Sequence, residues 1–308
     1  MLKEKILVSC ITPTFNRANL LKNAIESTLA QTYPYWEMII VDDGSTDNTE
    51  EIAKYYCLKD SRIQYYKNPG KGANTARNYG IRQSKGQYIV FLDDDDEHLP
   101  HRFESQLNAV KKSSSKFIIS GYIEMDYKTR KIRARYDKGL HALGAGIGIR
   151  WIVERELLFM AGLFDETMPS MQEVELSYRI ARYETFVNHK DIVAVVFNNT
   201  LSSISKGWNG LKGKLMVVEK HKDKMHPLEA AWWYFVIAMD YYKLNDVESA
   251  IKYLKIAAEI NPGIRMDFAF NYARTFFKIG KRFKTVNAKF LNLWVNSTFP
   301  VLVKHPVV

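Results

Sequence analysis

Tyr88-Ile89-Val90-Phe91-Leu92 runs directly into Asp93-Asp94-Asp95-Asp96. A short apolar run closed by turn chemistry reads as a buried strand, so the four aspartates gather at its carboxyl end. Carboxylate oxygens are hard ligands suited to Mg²⁺ or Mn²⁺, and four on adjacent residues repel one another unless a cation or open water relieves them. Three readings of the cluster stand side by side. As a calcium loop beginning at Asp93, it would put Asp95, Glu97 and Glu104 on ligand positions. His98, however, takes the place where the sharp turn requires Gly, Pro100 follows close behind, and the preceding flank reads as strand rather than helix. As a solvated acidic turn it needs no partner. As a metal and phosphate site it fits a strand end best.

Outward from this strand, apolar runs and helical periodicities alternate. Residues 6–12 form a first strand, and Leu20, Leu21, Ala24, Ile25, Thr28 and Leu29 recur at helical spacing after it. Residues 36–41 are again apolar and end in Asp42-Asp43-Gly44-Ser45, where Ser45 or Thr46 can cap a helix bearing Glu50 and Glu51. Residues 62–67 alternate weakly as a third strand, 72–84 read as a third helix, and 88–92 are the fourth strand. This order predicts an α/β fold with a mainly parallel, doubly wound sheet. Ligands bind such sheets outside the carboxyl ends of the strands. Thr12, Pro13, Thr14 and Asn16, then Asp42 and Asp43, then residues 68–71, then the aspartates should therefore converge on one crevice.

A chain of 308 residues can bury a substantial core and is expected to divide into two units. Its two cysteines, Cys10 and Cys57, fall within predicted elements and support neither a disulfide framework nor a cysteine metal site. A reducing, cytoplasmic setting follows as the default. The apolar run at residues 6–11 is too short for a signal-peptide core, and no stretch approaches the roughly 18 apolar residues of a membrane span. The net charge of +10 points to an anionic surface or a phosphorylated substrate. The basic residues are spread along the chain without a nucleic-acid signature, which leaves no nucleic-acid partner and favours peripheral contact with an anionic membrane.

Pro13-Thr14-Phe15-Asn16-Arg17, Val41-Asp42-Asp43-Gly44-Ser45-Thr46-Asp47, Ala76-Arg77-Asn78-Tyr79-Gly80 and Phe91-Leu92-Asp93-Asp94-Asp95-Asp96 follow one another in this order. Gly162-Leu163-Phe164-Asp165-Glu166 and Gln172-Glu173-Val174-Glu175-Leu176 come after them. Each alone is a weak signal. Together they resemble the family 2 glycosyltransferases, over roughly the first 200 residues. The resemblance implies a single Rossmann-like nucleotide-sugar-binding domain, residues 1–222, and transfer of a sugar from a nucleotide diphosphate donor with inversion at the anomeric carbon.

A departing diphosphate develops negative charge that a divalent cation, Mn²⁺ or Mg²⁺, offsets as a Lewis acid. By resemblance Asp95 is the metal ligand and Asp93 faces the ribose or the metal's surroundings. With four aspartates the register is open by one residue, so Asp94 or Asp96 stands as an alternative ligand, and Asp94 is counted with the nucleotide side. Asp43 matches the position that accepts from the N3 hydrogen of uracil, with Thr14, Asn16 and the backbone around Pro13 near the base. Lys71 and Arg77, on the Gly-containing turn and helix start after the third strand, are candidate phosphate contacts; a plain helix-surface arginine is the other reading of Arg77.

An inverting displacement needs a base for the acceptor hydroxyl. The family uses a carboxylate, usually the aspartate of a Glu-Asp pair opening a helix. Here the pair is Gln172-Glu173, a departure on both residues, and Glu173 is assigned as base. Glu175 would point to another face of that helix. Should Glu173 serve only the helix dipole, Asp165 or Glu166 is next. His98, His189 and His221 are read as surface or packing residues rather than metal ligands. Gly139, Gly144, Gly146 and Gly148 suit either a mobile loop near the acceptor or ordinary turns.

From Pro227 onward strand signals vanish. Tyr234, Ala238, Tyr241, Ala250, Ile251, Leu254, Ala257 and Pro262 resemble the tetratricopeptide pattern, and a degenerate copy through Ala269, Ala273, Phe276, Phe277 and Gly280 follows about 35 residues further on. Residues 223–308 are thus read as an all-α helical-repeat tail, too short to stand as a free solenoid and so docked on the first domain, a membrane or a second copy in a homo-oligomer. Lys278, Lys281, Arg282, Lys284 and Lys289 flank Phe283, Phe290, Leu291, Leu293 and Trp294, which suits either an interfacial helix on anionic lipid or a solvated basic face.

The combined expectation is a metal-dependent, inverting, hexosyltransferase-type enzyme. It would act on a UDP-sugar and a glycan or lipid-linked acceptor in cell-surface polysaccharide assembly, at the inner face of the membrane. A nucleotidyltransferase is one alternative, but residues 12–17 lack its Gly-rich basic signature. A non-enzymatic repeat scaffold is the other, and it would not need Asp43, the aspartate run and Glu173 together.

Overall fold

The computed structural model describes residues 5–136, 148–198 and 207–261. The chain divides into two units, Met1–Val217 and Val218–Val308.

In the first unit, β1 (Val8–Thr14), α1 (Ala18–Leu29), β2 (Trp36–Asp42), α2 (Thr49–Lys59), β3 (Ile63–Lys67), α3 (Ala73–Gln83) and β4 (Tyr88–Phe91) alternate. The four strands pair in parallel in the order β3-β2-β1-β4. Every residue of β1 and β2 is buried, which is why these strands read as continuous apolar runs rather than alternating ones. Alternate side chains serve two cores. Cys10, Met38, Ile40 and Val90 pack against Leu21 and Ile25 of α1 and Tyr56 of α2, while Ile11, Ile39, Val41 and Phe91 pack beneath Ala76 and Ile81 of α3. Gly80 lets α3 lie close to the sheet: a Cβ there would meet Ile11 Cγ2 at 2.6 Å.

The second half of the sheet corrects the expectation of a mainly parallel, doubly wound arrangement. After β5 (Glu97–His98) and α4 (Arg102–Ser113) come β6 (Phe117–Asp126), β7 (Ile132–Tyr136), a 3₁₀ turn (Gly148–Arg150), β8 (Trp151–Glu154), α5 (Arg155–Met160), α6 (Gln172–Ile180) and β9 (Val187–Asn198). The sheet runs β3-β2-β1-β4-β8-β6-β9-β5, with β7 on β6. β8 is antiparallel to both β4 and β6, and β5 is antiparallel to β9, whereas β6 and β9 are parallel. The sheet is mixed because β8 returns between β4 and β6 against the direction of both.

β4 and β8 pair only at Tyr88↔Glu154 and Ile89↔Val153. Continuing that register would bring Phe91 opposite Trp151, but the ladder stops and Arg102 of α4 enters the split. Its Nη1 donates to the Phe91 carbonyl at 3.3 Å and its Nη2 to the Trp151 carbonyl at 2.9 Å. Gln106, one turn on, donates to the Arg150 carbonyl at 2.9 Å. Arg102 is fully buried, with no carboxylate partner among the described residues, and burial pulls its pKa down to about 9. Burying a guanidinium costs several kcal/mol, so the carbonyls at the split must hold it.

The second unit contains α8 (Pro227–Lys243) and α9 (Val247–Ile260), which follow α7 (Gly207–His221). Ala231, Phe235 and Ala257 form the buried contact of the helix pair, and Tyr253 stacks against Tyr234 and Tyr241. Asp246 caps α9 by accepting from the Ser249 amide at 3.0 Å. The second repeat copy, the basic segment 278–294 and the glycines 139, 144 and 146 lie outside the described residues. Among the described residues, no helix is long and apolar enough to cross a membrane.

Candidate active site

The loops after β1, β2, β3 and β4 are stitched to one another. Asn16, in the left-handed region at φ 52°, donates its amide to Ser45 Oγ at 2.8 Å and accepts from the Thr46 amide at 2.7 Å. Asp42 turns inward: Oδ1 accepts from the Ser45 amide and hydroxyl at 2.8 and 2.6 Å, and Oδ2 from the Tyr65 hydroxyl at 2.7 Å. Asp43 is half-buried. Its amide donates to the Thr14 carbonyl at 2.9 Å, and its carboxylate accepts from Asn68 Nδ2 at 2.6 Å and from the Gly72 amide at 2.8 and 2.9 Å. Gly72 sits at φ +98° just ahead of α3, a conformation that favours glycine, and this aims its amide at Asp43. Pro13 and Thr14 are buried, and Lys71 is exposed.

The four aspartates separate into two pairs by exposure. Asp93 and Asp95 keep side chains 43% and 20% exposed, while Asp94 and Asp96 are buried. Asp94 Oδ2 accepts from Thr14 Oγ1 at 2.7 Å, and its Oδ1 pairs with Arg17 Nη1 at 2.7 Å. Burial raises its pKa to about 6 against the pull of Arg17. Asp96 Oδ1 accepts from the Phe197 amide at 2.9 Å; burial, reinforced by the neighbouring aspartates, pushes its pKa well above the usual value. Arg17 Nη1 also lies 3.0 Å from Asp95 Oδ2.

Arg77 is not a surface arginine. It is buried, with Nη2 2.8 Å from Asp93 Oδ1 and 3.9 Å from Glu173 Oε1. Glu173 lies in the first turn of α6, is 8% exposed, and accepts from Gln172 Nε2 at 3.2 Å. Burial raises its pKa above that of an ordinary glutamate; Arg77 opposes the rise and Asp93 adds to it. A Cβ added at Gly148 would stand 3.1 Å from Glu173 Cγ and 3.7 Å from Phe91 Cβ, so this glycine packs between the base candidate and the strand bearing the aspartates.

The other carboxylates of this region are engaged locally. Glu175 is buried and held by Arg179 Nε at 2.9 Å, and Asp165 accepts from the Thr167 amide and hydroxyl. Glu166 accepts from Asn78 Nδ2 and Thr75 Oγ1. Asn78 also holds Phe164 on both sides, donating to its carbonyl and accepting from its amide at 2.9 Å each, while Asn74 donates to the Asp165 and Met168 carbonyls. Asn74, Arg77 and Asn78 are thus one helix face of α3 that ties the 164–168 segment to the aspartate run. His98 is buried edge-on against Phe103, and neither ring nitrogen makes a hydrogen bond of ordinary geometry. Burial, aided by Arg102 and opposed by the Phe91 carbonyl, keeps its pKa well below that of a free histidine. His189 Nε2 lies 2.8 Å from Ser105 Oγ and 3.2 Å from Asp191, and His221 is buried in the second unit.

Among the described residues no three His, Cys, Asp or Glu side chains form a ready-made cation cage. A diphosphate-bound Mg²⁺ or Mn²⁺ does not require one: one or two carboxylates suffice when phosphate oxygens and water complete the shell. Asp93 and Asp95, the part-exposed carboxylates of the run, fit that demand.

The sequence profile described as Glycosyl transferase family 2 matches residues 9–164, just over half of the chain. The chain belongs to glycosyltransferase family 2. An uncharacterized glycosyltransferase of Rickettsia typhi is 33% identical over 235 residues, covering 68% of this chain and 72% of that protein. The putative teichuronic acid biosynthesis glycosyltransferase TuaG of Bacillus subtilis is 38% identical over 143 residues, or 46% of this chain and 55% of that one. The UDP-Glc:α-D-GlcNAc-diphosphoundecaprenol β-1,3-glucosyltransferase WfgD of Escherichia coli is 38% identical over 120 residues, 39% of this chain and 47% of that one. Among solved structures, S. aureus TarS residues 1–349 in complex with UDP-GlcNAc superimposes with a TM-score of 0.59 at 17% identity, covering 95% of this chain and 79% of that one. Mannosyltransferase PcManGT from Pyrobaculum calidifontis, in complex with GDP-Man and Mn²⁺, gives 0.58 at 19% identity, covering 97% and 88%. These two likenesses are of fold. The glycosyltransferase assignment replaces the nucleotidyltransferase and scaffold alternatives.

Arg17 and Arg102 were not among the site candidates. Arg17 stood inside a quoted motif next to Asn16, and its charge was the available signal. Arg102 carried none, since nothing local marks an arginine four residues after His98 as filling a split between strands.

Proposed function

We propose that this glycosyltransferase moves a hexosyl group from a UDP-sugar to a hydroxyl of a glycan or lipid-linked acceptor, with inversion, using a divalent cation at Asp95. The observation that carries this reading is the placement of Arg77 Nη2 between Asp93, 2.8 Å away, and the buried Glu173, 3.9 Å away. It joins the donor-side strand end to a carboxylate suited to accept a proton.

Asp43 receives the uracil N3 hydrogen. Two donors already occupy Oδ1, but Oδ2 accepts only from Gly72 and has capacity left. Thr14, Asn16 and the backbone at Pro13 shape the base pocket, and Lys71 reaches the phosphates from the mouth. The divalent cation, when bound, offsets the charge that grows on the departing diphosphate. Asp93 faces the nucleotide, and Asp94 holds Thr14 and Arg17 in place beneath it. Arg77 meets the negative charge of the donor. Glu173 takes the proton of the acceptor hydroxyl as that oxygen attacks the anomeric carbon from the face opposite the diphosphate. Its raised pKa favours this, because a base works best when its pKa approaches the working pH.

The UDP-Glc donor of the E. coli relative supports a UDP-sugar, and the putative teichuronic acid role of the B. subtilis relative supports a part in polysaccharide assembly. The Mn²⁺ in the PcManGT complex supports the cation. In this reading residues 1–222 are the catalytic domain and 223–308 a tetratricopeptide-like tail. Calorimetry with UDP tests it: binding should require Mn²⁺ or Mg²⁺, and Asp95→Asn should remove the metal dependence. Binding indifferent to both would refute it.

A further inference from the structure

The β6–β7 hairpin carries Lys128, Arg130, Lys131, Arg133 and Arg135, all exposed. Arg130 pairs with Glu97 at 3.1 Å and Arg133 with Asp126, whereas Lys128, Lys131 and Arg135 have no ion pair among the described residues. Between them Ile132 stands 48% exposed. β7 pairs with β6 alone, so no described strand pairs with its other edge. One or two charges would keep such an edge from pairing with another chain; five cations around an exposed isoleucine exceed that need.

The hairpin is held in a defined shape. Asp126 Oδ1 accepts from the Lys128 amide at 3.2 Å, the Thr129 amide at 3.0 Å and Thr129 Oγ1 at 3.1 Å. The Asp126 amide donates to the Lys131 carbonyl at 3.0 Å, closing the turn. Arg130 adopts φ 53°, which places its guanidinium 4.5 Å from the ring of Phe197. The Phe197 amide is the one that holds Asp96. The basic strip therefore begins one residue away from the acidic strand end and is fixed relative to it.

We propose that this hairpin docks the protein on an anionic membrane, with Lys128, Lys131 and Arg135 on lipid headgroup phosphates and Ile132 at the headgroup boundary. Basic clusters flanking an apolar side chain bind such surfaces through summed charge and a small buried area. The rim of the aspartate crevice then faces the lipid, where a lipid-linked acceptor would present its hydroxyl. That last link rests on the acceptor reading above; the docking does not.

The test is flotation of the full chain with vesicles of equal parts phosphatidylglycerol and phosphatidylcholine, alongside a variant combining Lys128→Ser, Lys131→Ser and Arg135→Ser. The wild type should float, less so as salt rises, and the variant should lose roughly a hundredfold in partitioning, about fivefold per charge. Ile132→Ser should lose less. UDP affinity and thermal midpoint should be unchanged in both, which separates failed docking from a failed donor site. Equal flotation of wild type and triple variant, or binding of soluble polyphosphate without binding of vesicles, would overturn the proposal.

Discussion

Arg77 Nη2 stands 2.8 Å from Asp93 and 3.9 Å from Glu173, so one buried cation serves an anion at the end of β4 and another at the start of α6. The guanidinium restrains how far the pKa of Glu173 can rise, while burial drives it up. As a base, Glu173 must be ionised, so kcat/KM should climb with pH through a limb above the ordinary glutamate range. Arg77→Met removes the lowering charge and should move that limb to higher pH. A limb at the same pH in both proteins would contradict the coupling.

Asp94 and Asp95 should behave oppositely. Asp94→Asn leaves Thr14 and Arg17 with a buried partner of the wrong polarity and should cost about 1–3 kcal/mol of stability while retaining metal-dependent UDP binding. Asp95→Asn breaks a partly exposed pair and should change stability by less than about 1 kcal/mol while abolishing the metal dependence. Thermal denaturation and calorimetry on the two variants check both halves.

This register shows where sequence legibility ends. The parallel β1 to β4 half was readable because strands buried on both faces appear as unbroken apolar runs, as at Met38-Ile39-Ile40-Val41. Beyond Leu92 no strand is read from the sequence. β6 is buried along most of its length but broken by Ser120 and Gly121, β9 mixes apolar and polar residues along a partly exposed strand, and β8 is only four residues long, so the mixed half gave no comparable signal. The four aspartates were visible as a cluster, but which two stay part-exposed depends on Thr14, Arg17 and the Phe197 amide, contributed from far along the chain. Arg102 was illegible for a similar reason: its partners are backbone carbonyls, which carry no sequence mark.

Gly148→Ala tests the packing around the base. The added methyl would stand 3.1 Å from Glu173 Cγ, so the side chain must shift by a few tenths of an ångström. A displacement of this order should lower kcat by roughly tenfold and leave UDP affinity within about twofold. Unchanged kcat would mean that Glu173 is not held to a reactive position.

His98 should make stability pH-dependent. Its folded pKa is depressed, so below about pH 6.5 the unfolded chain binds a proton that the folded one refuses, and stability falls as pH falls. The slope is at most about 1.4 kcal/mol per pH unit. His98→Leu should flatten it, which thermal midpoints between pH 7.5 and pH 5 would reveal (about the range over which a free histidine titrates). An equal fall in both proteins would assign the acid sensitivity elsewhere.

The central claim is most directly tested by nucleoside diphosphate release from a panel of sugar nucleotides with Mn²⁺, comparing wild type with Glu173→Gln at matched UDP occupancy. Turnover with a UDP-sugar, falling about 10²-fold or more in the variant while UDP affinity is retained, is the predicted result. Equal turnover in the two proteins, or release from no UDP-sugar at all, would contradict it.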